Sequence, residues 1–206
     1  MRVLLTGFGP FPGAPVNPSG VLALKLARRR RPALAGIERI VHVFATTYAA
    51  VDRDLPRLFA KQPDIVLMFG LAGRTPYLRV ETRARNAISQ IFPDAGGHRP
   101  QRHIIAHGAP ASLRGAAPFA RLVAALRASG VPARLSHDAG RYLCNYGYWS
   151  ALQRAPQGKP LVQFVHIPVV RIGSRRRRSK HPPLSLSQII RAAENLLIAL
   201  LAAARR

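Results

Sequence analysis

Strands that alternate with helices predict an α/β fold: a single domain on an open, twisted, mostly parallel sheet with helices on both faces. Three observations carry this expectation. Asp64–Phe69 and Leu161–Ile167 are continuous apolar runs, the pattern of parallel strands covered on both sides. Segments of helical period separate the strand-like runs. The 206 residues, 48% of them hydrophobic, suffice for one domain spanning 1–206, and no break in composition marks a second.

In chain order, Arg2–Thr6 reads as a short buried strand running into the Gly- and Pro-rich loop GFGPFPGAPVNPSG. Asn17 followed by Pro18 has the form of a helix cap and first turn, leading to Arg31. Ile37–Phe44 is a β-branched strand, and Val51–Lys61 a helix with Pro56 expected near its first turn. After the Asp64–Phe69 strand, Tyr77–Arg85 is read as one further strand. Asn86–Pro110 has no period and many Gly, Pro and His residues, which suggests a functional loop or arm. Ala116–Ser129 is helical with Gly130 as its stop, Ala133–Ser136 is a strand, and Tyr142–Gln153 a helix. Leu161–Ile167 follows as a buried strand. The last helix is amphipathic, opened by Ser185 and Gln188 as a capping box.

The charge is strongly skewed, with 32 Lys plus Arg against 8 Asp plus Glu, a formal net charge of +24. Such a balance points toward polyanions. Yet 28 of the 32 cations are arginine, and alanine is abundant too, as a GC-rich coding sequence would give. The runs Arg28–Arg31 and Arg175–Arg178 fall at a helix end and in a loop, with no recognition helix, zinc spacing or RNA-binding aromatic motif beside them. They read as solvated basic surface, with weak non-specific polyanion association. The apolar stretch of MRVLLTGFGP is too short for a signal peptide, and Leu196–Ala204 falls short of a membrane helix. A lone cysteine fits a reducing compartment, so a soluble cytoplasmic protein is expected.

That cysteine, Cys144, would lie in the first turn of the helix after SHDAGRY. Unpaired backbone N–H groups and the positive end of the helix dipole favour a thiolate there and can bind an oxyanion; a buried, inert cysteine is the competing reading. A cysteine nucleophile needs a base, and the base an orienting acceptor. His166, at the C-terminal end of an apolar strand, stands where open α/β sheets build their sites. His137 is near in sequence, and His42 alternates within a strand. Among the acids, Asp52, Asp54 and Asp64 sit at element starts, and Glu194 is read as lying on a surface helix. Glu81, in YLRVETRAR, could orient a histidine or form a surface ion pair.

Taken together, LLTGFGPFPGAPVNPS, MFGLAGRTPYLRVETRARN, IFPDAGGHRP, SHDAGRYLCNYGYW and VQFVHIPVV resemble the pyroglutamyl-peptidase I family of cysteine peptidases, in order and spacing, nearly end to end. The resemblance implies removal of N-terminal pyroglutamate from peptides through a thioester, with Cys144 as nucleophile, His166 as general base and acid, and Glu81 orienting the imidazole. It also implies an apolar lactam pocket formed by Phe8, Phe11, Thr46, Phe92, Tyr142 and Leu143. No metal or cofactor is called for, and a homotetramer is implied. The chain departs from the family pattern at Gly9, Leu71 and Ile91, where aspartate, glutamine and arginine are usual. Those departures and the +24 charge keep a second reading open, a weakly active or inactive relative that binds polyanions.

Overall fold

A computed structural model of the chain describes residues 1–170 and 183–205; the arginine run 175–178 lies outside the described residues. Six strands form the main sheet: β1 (Arg2–Phe8), β2 (Glu38–Phe44), β3 (Ile65–Leu71), β4 (Leu78–Glu81), β7 (Ala133–Ser136) and β8 (Leu161–Ile167), in the order β2-β1-β3-β8-β4-β7. Four of the five pairings are parallel, and β4 runs antiparallel to β8. The exception has a simple cause. Only residues 72–77 link β3 to β4, too few for the crossover that a parallel partner requires, so the chain reverses direction.

Alternation along the strands sorts residues between two cores. Val3 and Leu5, Leu67 and Phe69, Val165 and Ile167, and Leu78 and Val80 face α1 (Pro18–Ala27), α3 (Phe119–Arg127) and α5 (Leu186–Ala204). Leu4 and Phe8, Val66 and Met68, and Val162 and Phe164 face α2 (Tyr48–Phe59) and α4 (Leu143–Gln153). Because side chains alternate with period two, Gly70, Arg79, Glu81 and His166 fall on the second face, toward α4. The helix caps follow local chemistry. The Asn17 side chain accepts from Ser19 N, Thr47 caps α2 through Ala50 N, and Ser185 and Gln188 form the expected capping box.

Several element boundaries differ from expectation. The α1 helix ends at Ala27 rather than Arg31, because Pro32 disfavours helical backbone just before it. The Thr47 cap starts α2 at Tyr48, so Pro56 sits in the helix interior rather than its first turn and leaves the Asp52 carbonyl without its helical donor. Likewise α3 begins only after Pro118. The strand expected over Tyr77–Arg85 is two strands. Thr82 breaks it, β4 joins the main sheet, and β5 (Arg83–Arg85) pairs with β6 (Ser112–Arg114), which the sequence did not reveal.

Glu194 corrects a further expectation. It is buried rather than on a surface face, and Arg29 Nε donates to it at 2.8 Å, while Arg31 Nη1 donates to Asn195 Oδ1. Two members of the Arg28–Arg31 run thus tie the end of α1 to α5. By length and composition α5 could cross a membrane. Its apolar face, including Ile189, Leu196, Leu197 and Leu200, lies instead inside the first core.

Candidate active site

The C-terminal ends of β3 and β8 converge with the N-terminus of α4. His166 is 5% exposed and pairs in register with Gly70 on one side and Arg79 on the other. Its Nδ1 donates to Glu81 Oε1 at 2.8 Å, and Glu81 is fully buried, which rules out the surface ion pair. Nδ1 is thereby committed, and Nε2 remains for Cys144. Cys144, the second residue of α4, lines a cavity of about 420 Å³ together with His166, Arg79, Asp138, Tyr142 and the turn residues 71–75.

Burial alone would strip the proton from His166. The Cys144 sulfur, by charge and hydrogen bonding, and then the Glu81 carboxylate outweigh that, and the His166 pKa is pushed up to about 9. Gly70 explains how the sulfur comes so close. A Cβ there would stand 2.7 Å from Cys144 Sγ and 2.7 Å from Phe164 Cζ, so only a glycine leaves the thiol its place. The α4 helix also differs from α1, α2 and α5 in having no side-chain cap; its N-cap residue is Tyr142, and Cys144 belongs to the first turn, whose N–H groups have no acceptor within the helix.

The structure thus brings Cys144, His166 and Glu81 together. The other candidates are engaged elsewhere. His42 meets Asp54 at 3.2 Å, His137 Nδ1 lies 2.6 Å from Thr82 Oγ1, Asp52 accepts from Tyr146 OH, and Asp64 accepts from Arg2 N. The six implied pocket residues lie in different surroundings. Only Tyr142 lines the cavity that holds Cys144. Phe8 and Leu143 are buried in the core beneath α4, and Thr46 is buried with its Oγ1 donating to Gly9 O. Phe11 is half-buried in the Gly/Pro loop, and Phe92 is 62% exposed. The physical reason is placement: Phe8 ends a central strand and points into the core, whereas Phe92 rides on the long loop. Of the three departures from the family pattern, Leu71 lines the cavity and Ile91 is 72% exposed.

Residues 86–111 form no regular element, as expected, yet side chains hold the segment in place. Asn86 accepts from Ile105 N and Ala106 N and donates to Ala106 O and Ala109 O. Asp94 accepts from Tyr48 N, Gly96 N and His98 N, and Tyr142 OH donates to Pro93 O. Beside the cysteine, Asn145 is fully buried, accepts from Arg85 N, and donates to Arg85 O and Ala87 O. It fixes the first turn of α4 against β5. Asn145→Ala is expected to cost about 2–3 kcal/mol, since it deletes these three bonds and leaves part-buried backbone groups without a partner. A denaturant titration showing under half a kcal/mol of change would contradict that role.

Sequence reasoning missed Arg79, which binds Glu81, as well as Asn145 and Gly70. Alternation within YLRVE could have placed Arg79 beside Glu81 on one face; nothing in the sequence placed Gly70 against the sulfur.

Comparison with known proteins finds similarity along the whole chain. The model of the family described as pyroglutamyl peptidase matches residues 1–206. The chain is 33% identical over 200 residues to a pyrrolidone-carboxylate peptidase of Thermococcus onnurineus, covering 96% of this chain and 97% of that one. It superposes on the pyrrolidone carboxyl peptidase from Thermococcus litoralis with a TM-score of 0.86 at 29% identity, covering 98% of this chain and 93% of that one. For the pyroglutamyl peptidase I of Bacillus amyloliquefaciens the TM-score is 0.82 at 30% identity, covering 100% and 97%. A match over the full length, on a fold that sets a cysteine at a helix start against a buried histidine and glutamate, shows that the chain belongs to the pyroglutamyl peptidase family.

Proposed function

We propose that this chain hydrolyses the peptide bond after an N-terminal pyroglutamyl residue, with Cys144 as nucleophile, His166 as general base and acid, and Glu81 as the orienting acceptor. The observation that carries the reading is the buried 2.8 Å bond from His166 to Glu81, made at the wall of the cavity that also holds Cys144. The Cys144 sulfur attacks the pyroglutamyl carbonyl carbon, and the first-turn N–H groups of α4 stabilise the oxyanion. The C–N bond breaks as His166 gives its proton to the leaving amine, which leaves a thioester. His166 then takes a proton from water, the hydroxide adds to the thioester, and pyroglutamate departs as the Cys144–carbon bond breaks.

Tyr142, which lines the cavity with Cys144, is taken to meet the lactam, and Phe11 and Phe92 complete the proposed set. Phe8, Thr46 and Leu143 support the site from beneath. No cofactor enters this chemistry. The reading takes residues 1–206 as one domain, in the cytoplasm, working as a homotetramer on pyroglutamyl peptides, with weak non-specific polyanion association. Family membership disfavours the alternative of a polyanion-binding protein without catalysis. Turnover of pyroglutamyl-aminomethylcoumarin, abolished by Cys144→Ser, tests the function; no turnover in the parent protein would end it.

The proton on His166 sets the expected pH dependence. A pKa raised to about 9 keeps the imidazolium, and so the general acid, present well past neutrality. The alkaline limb of kcat/KM is therefore expected near pH 9 rather than near the 6.5 of an ordinary histidine. A limb centred below pH 8 would show that the sulfur and Glu81 do not hold that proton.

A further inference from the structure

Glu81 carries a second partner that the mechanism above does not use. Arg79 Nη2 lies 3.0 Å from Glu81 Oε1, the same oxygen that accepts from His166 Nδ1 at 2.8 Å. Glu81 Oε2, buried, has no hydrogen-bond partner among the described residues. The guanidinium is itself fixed: Nε and Nη2 donate to Ser136 Oγ at 3.2 and 2.8 Å, and Nη2 also donates to the Asp138 carbonyl. Its backbone pairs with His166 across the antiparallel β4–β8 ladder, and its side chain, 23% exposed, lines the cavity with Cys144.

We infer that Arg79 is a positioning residue, one that acts through Glu81 to set the orientation and the charge of the Cys144–His166 pair. This rests on the reading of Cys144 and His166 given above. A carboxylate without water is costly unless it is paired. Among the described residues His166 is its only other charged partner at this oxygen, and that proton must leave and return during turnover. Arg79 holds the carboxylate's charge in place whichever state His166 is in. Competition for one oxygen also limits how strongly Glu81 holds the imidazolium proton, so that the proton can pass to the leaving amine.

The sign of the electrostatic effect does not depend on detail. A cation beside a site favours every deprotonated form there, so its removal raises the pH midpoint of each nearby group. Among the described residues the groups facing this pair are Cys144 and Tyr148 from α4 and Tyr142 at its N-cap; Asp138 and Arg141 from the segment between β7 and α4; and Arg74 from the turn after β3. Arg85 meets Asp138 at 3.3 Å, and Arg134, opposite Arg79 on β7, stacks on Tyr77. All of these are retained in a variant that neutralises position 79.

The test reads Cys144 directly, through the rate of iodoacetamide alkylation against pH in the full chain, beside the pH profiles of kcat and KM. Alkylation needs no peptidase activity, so it separates failure of this inference from failure of the proposed function. Arg79→Met and Arg79→Gln are each expected to move the alkylation midpoint upward by about 0.5–1 pH unit, the lower part of the range for a near charge because Arg79 is partly exposed. At neutral pH they should lower kcat at least about 10-fold with KM little changed, since the lost interaction acts on chemistry rather than on binding. Arg79→Lys keeps the charge and is expected to return the midpoint to within about 0.3 unit of the parent, with kcat only partly recovered because the forked geometry is gone. A purely structural role would lower thermal stability and activity at every pH with unmoved midpoints, and that result would overturn the inference. So would a Lys variant shifted as far as Met and Gln. If one neutral variant does not fold, the other carries the comparison with Lys.

Discussion

Cys144→Ala is expected to eliminate turnover, lowering kcat by at least about 10⁴-fold, and His166→Ala to come close to it, because nucleophile and base act as one unit. The double variant should be little worse than either single one, for the same reason. The expectation draws on three features of the site. Cys144 is the only cysteine in the chain, so no other thiol can substitute. His166 is buried with Nδ1 committed to Glu81, which leaves the ring a single productive orientation. Its proton is held to about pH 9 by the sulfur and the carboxylate together, against the cost of burial. Glu81→Gln should fall between the parent and these variants, since orientation is weakened while the reagents remain. Stoichiometric alkylation of the parent should remove activity in proportion to labelling. More than a tenth of parental kcat in Cys144→Ala would mean that another group performs the attack.

Gly70→Ala should produce the second large loss, about 10²-fold or more in kcat, through a residue with no chemistry of its own. The added Cβ would meet Cys144 Sγ and Phe164 Cζ at 2.7 Å each, and one of them must move. The backbone of β3 is held between β1 and β8, and Phe164 is fully buried against Tyr148 and the His166 ring. The thiol is the group with somewhere to go, since Cys144 is only half-buried and turns about one bond. Its rotation would carry the sulfur away from His166. The rate of Cys144 alkylation at pH 7 should fall along with kcat while KM changes less. Full activity in a folded Gly70→Ala protein would show that the sulfur does not need the space against Gly70.

Much of the site was legible because local chemistry writes it locally. The residues of β7 and β8 came out as expected, as did the capping box of α5 and the cap-and-proline start of α1. Cys144 could be placed in the first turn of α4, and His166 at the end of an apolar strand, from spacing alone; their pairing with Glu81 came from the family motifs. The implied lactam pocket rests on the family resemblance alone. Those positions were carried over residue by residue, and the structure sets Phe8 in the core and Phe92 in solvent, with only Tyr142 at the cavity of Cys144.

The sequence by itself determined which residues could be strands and helices and, through the family motifs, the chemistry assigned to Cys144, His166 and Glu81. The elements follow from the period-two and 3.6-residue patterns and from caps whose partners lie within a few residues. Only the tertiary structure decided which strand each strand pairs with and which charge answers which. The run Tyr77–Arg85 keeps its alternation straight through Thr82, yet β4 and β5 join different sheets, because partner choice depends on segments some 30 to 85 residues away. Glu194 is buried because Arg29, 165 residues earlier, reaches it, and Gly70 matters because α4 brings a sulfur to its surface. Periodicity records a residue's direction relative to its own backbone; the neighbour it meets there is fixed only when distant segments close on one another.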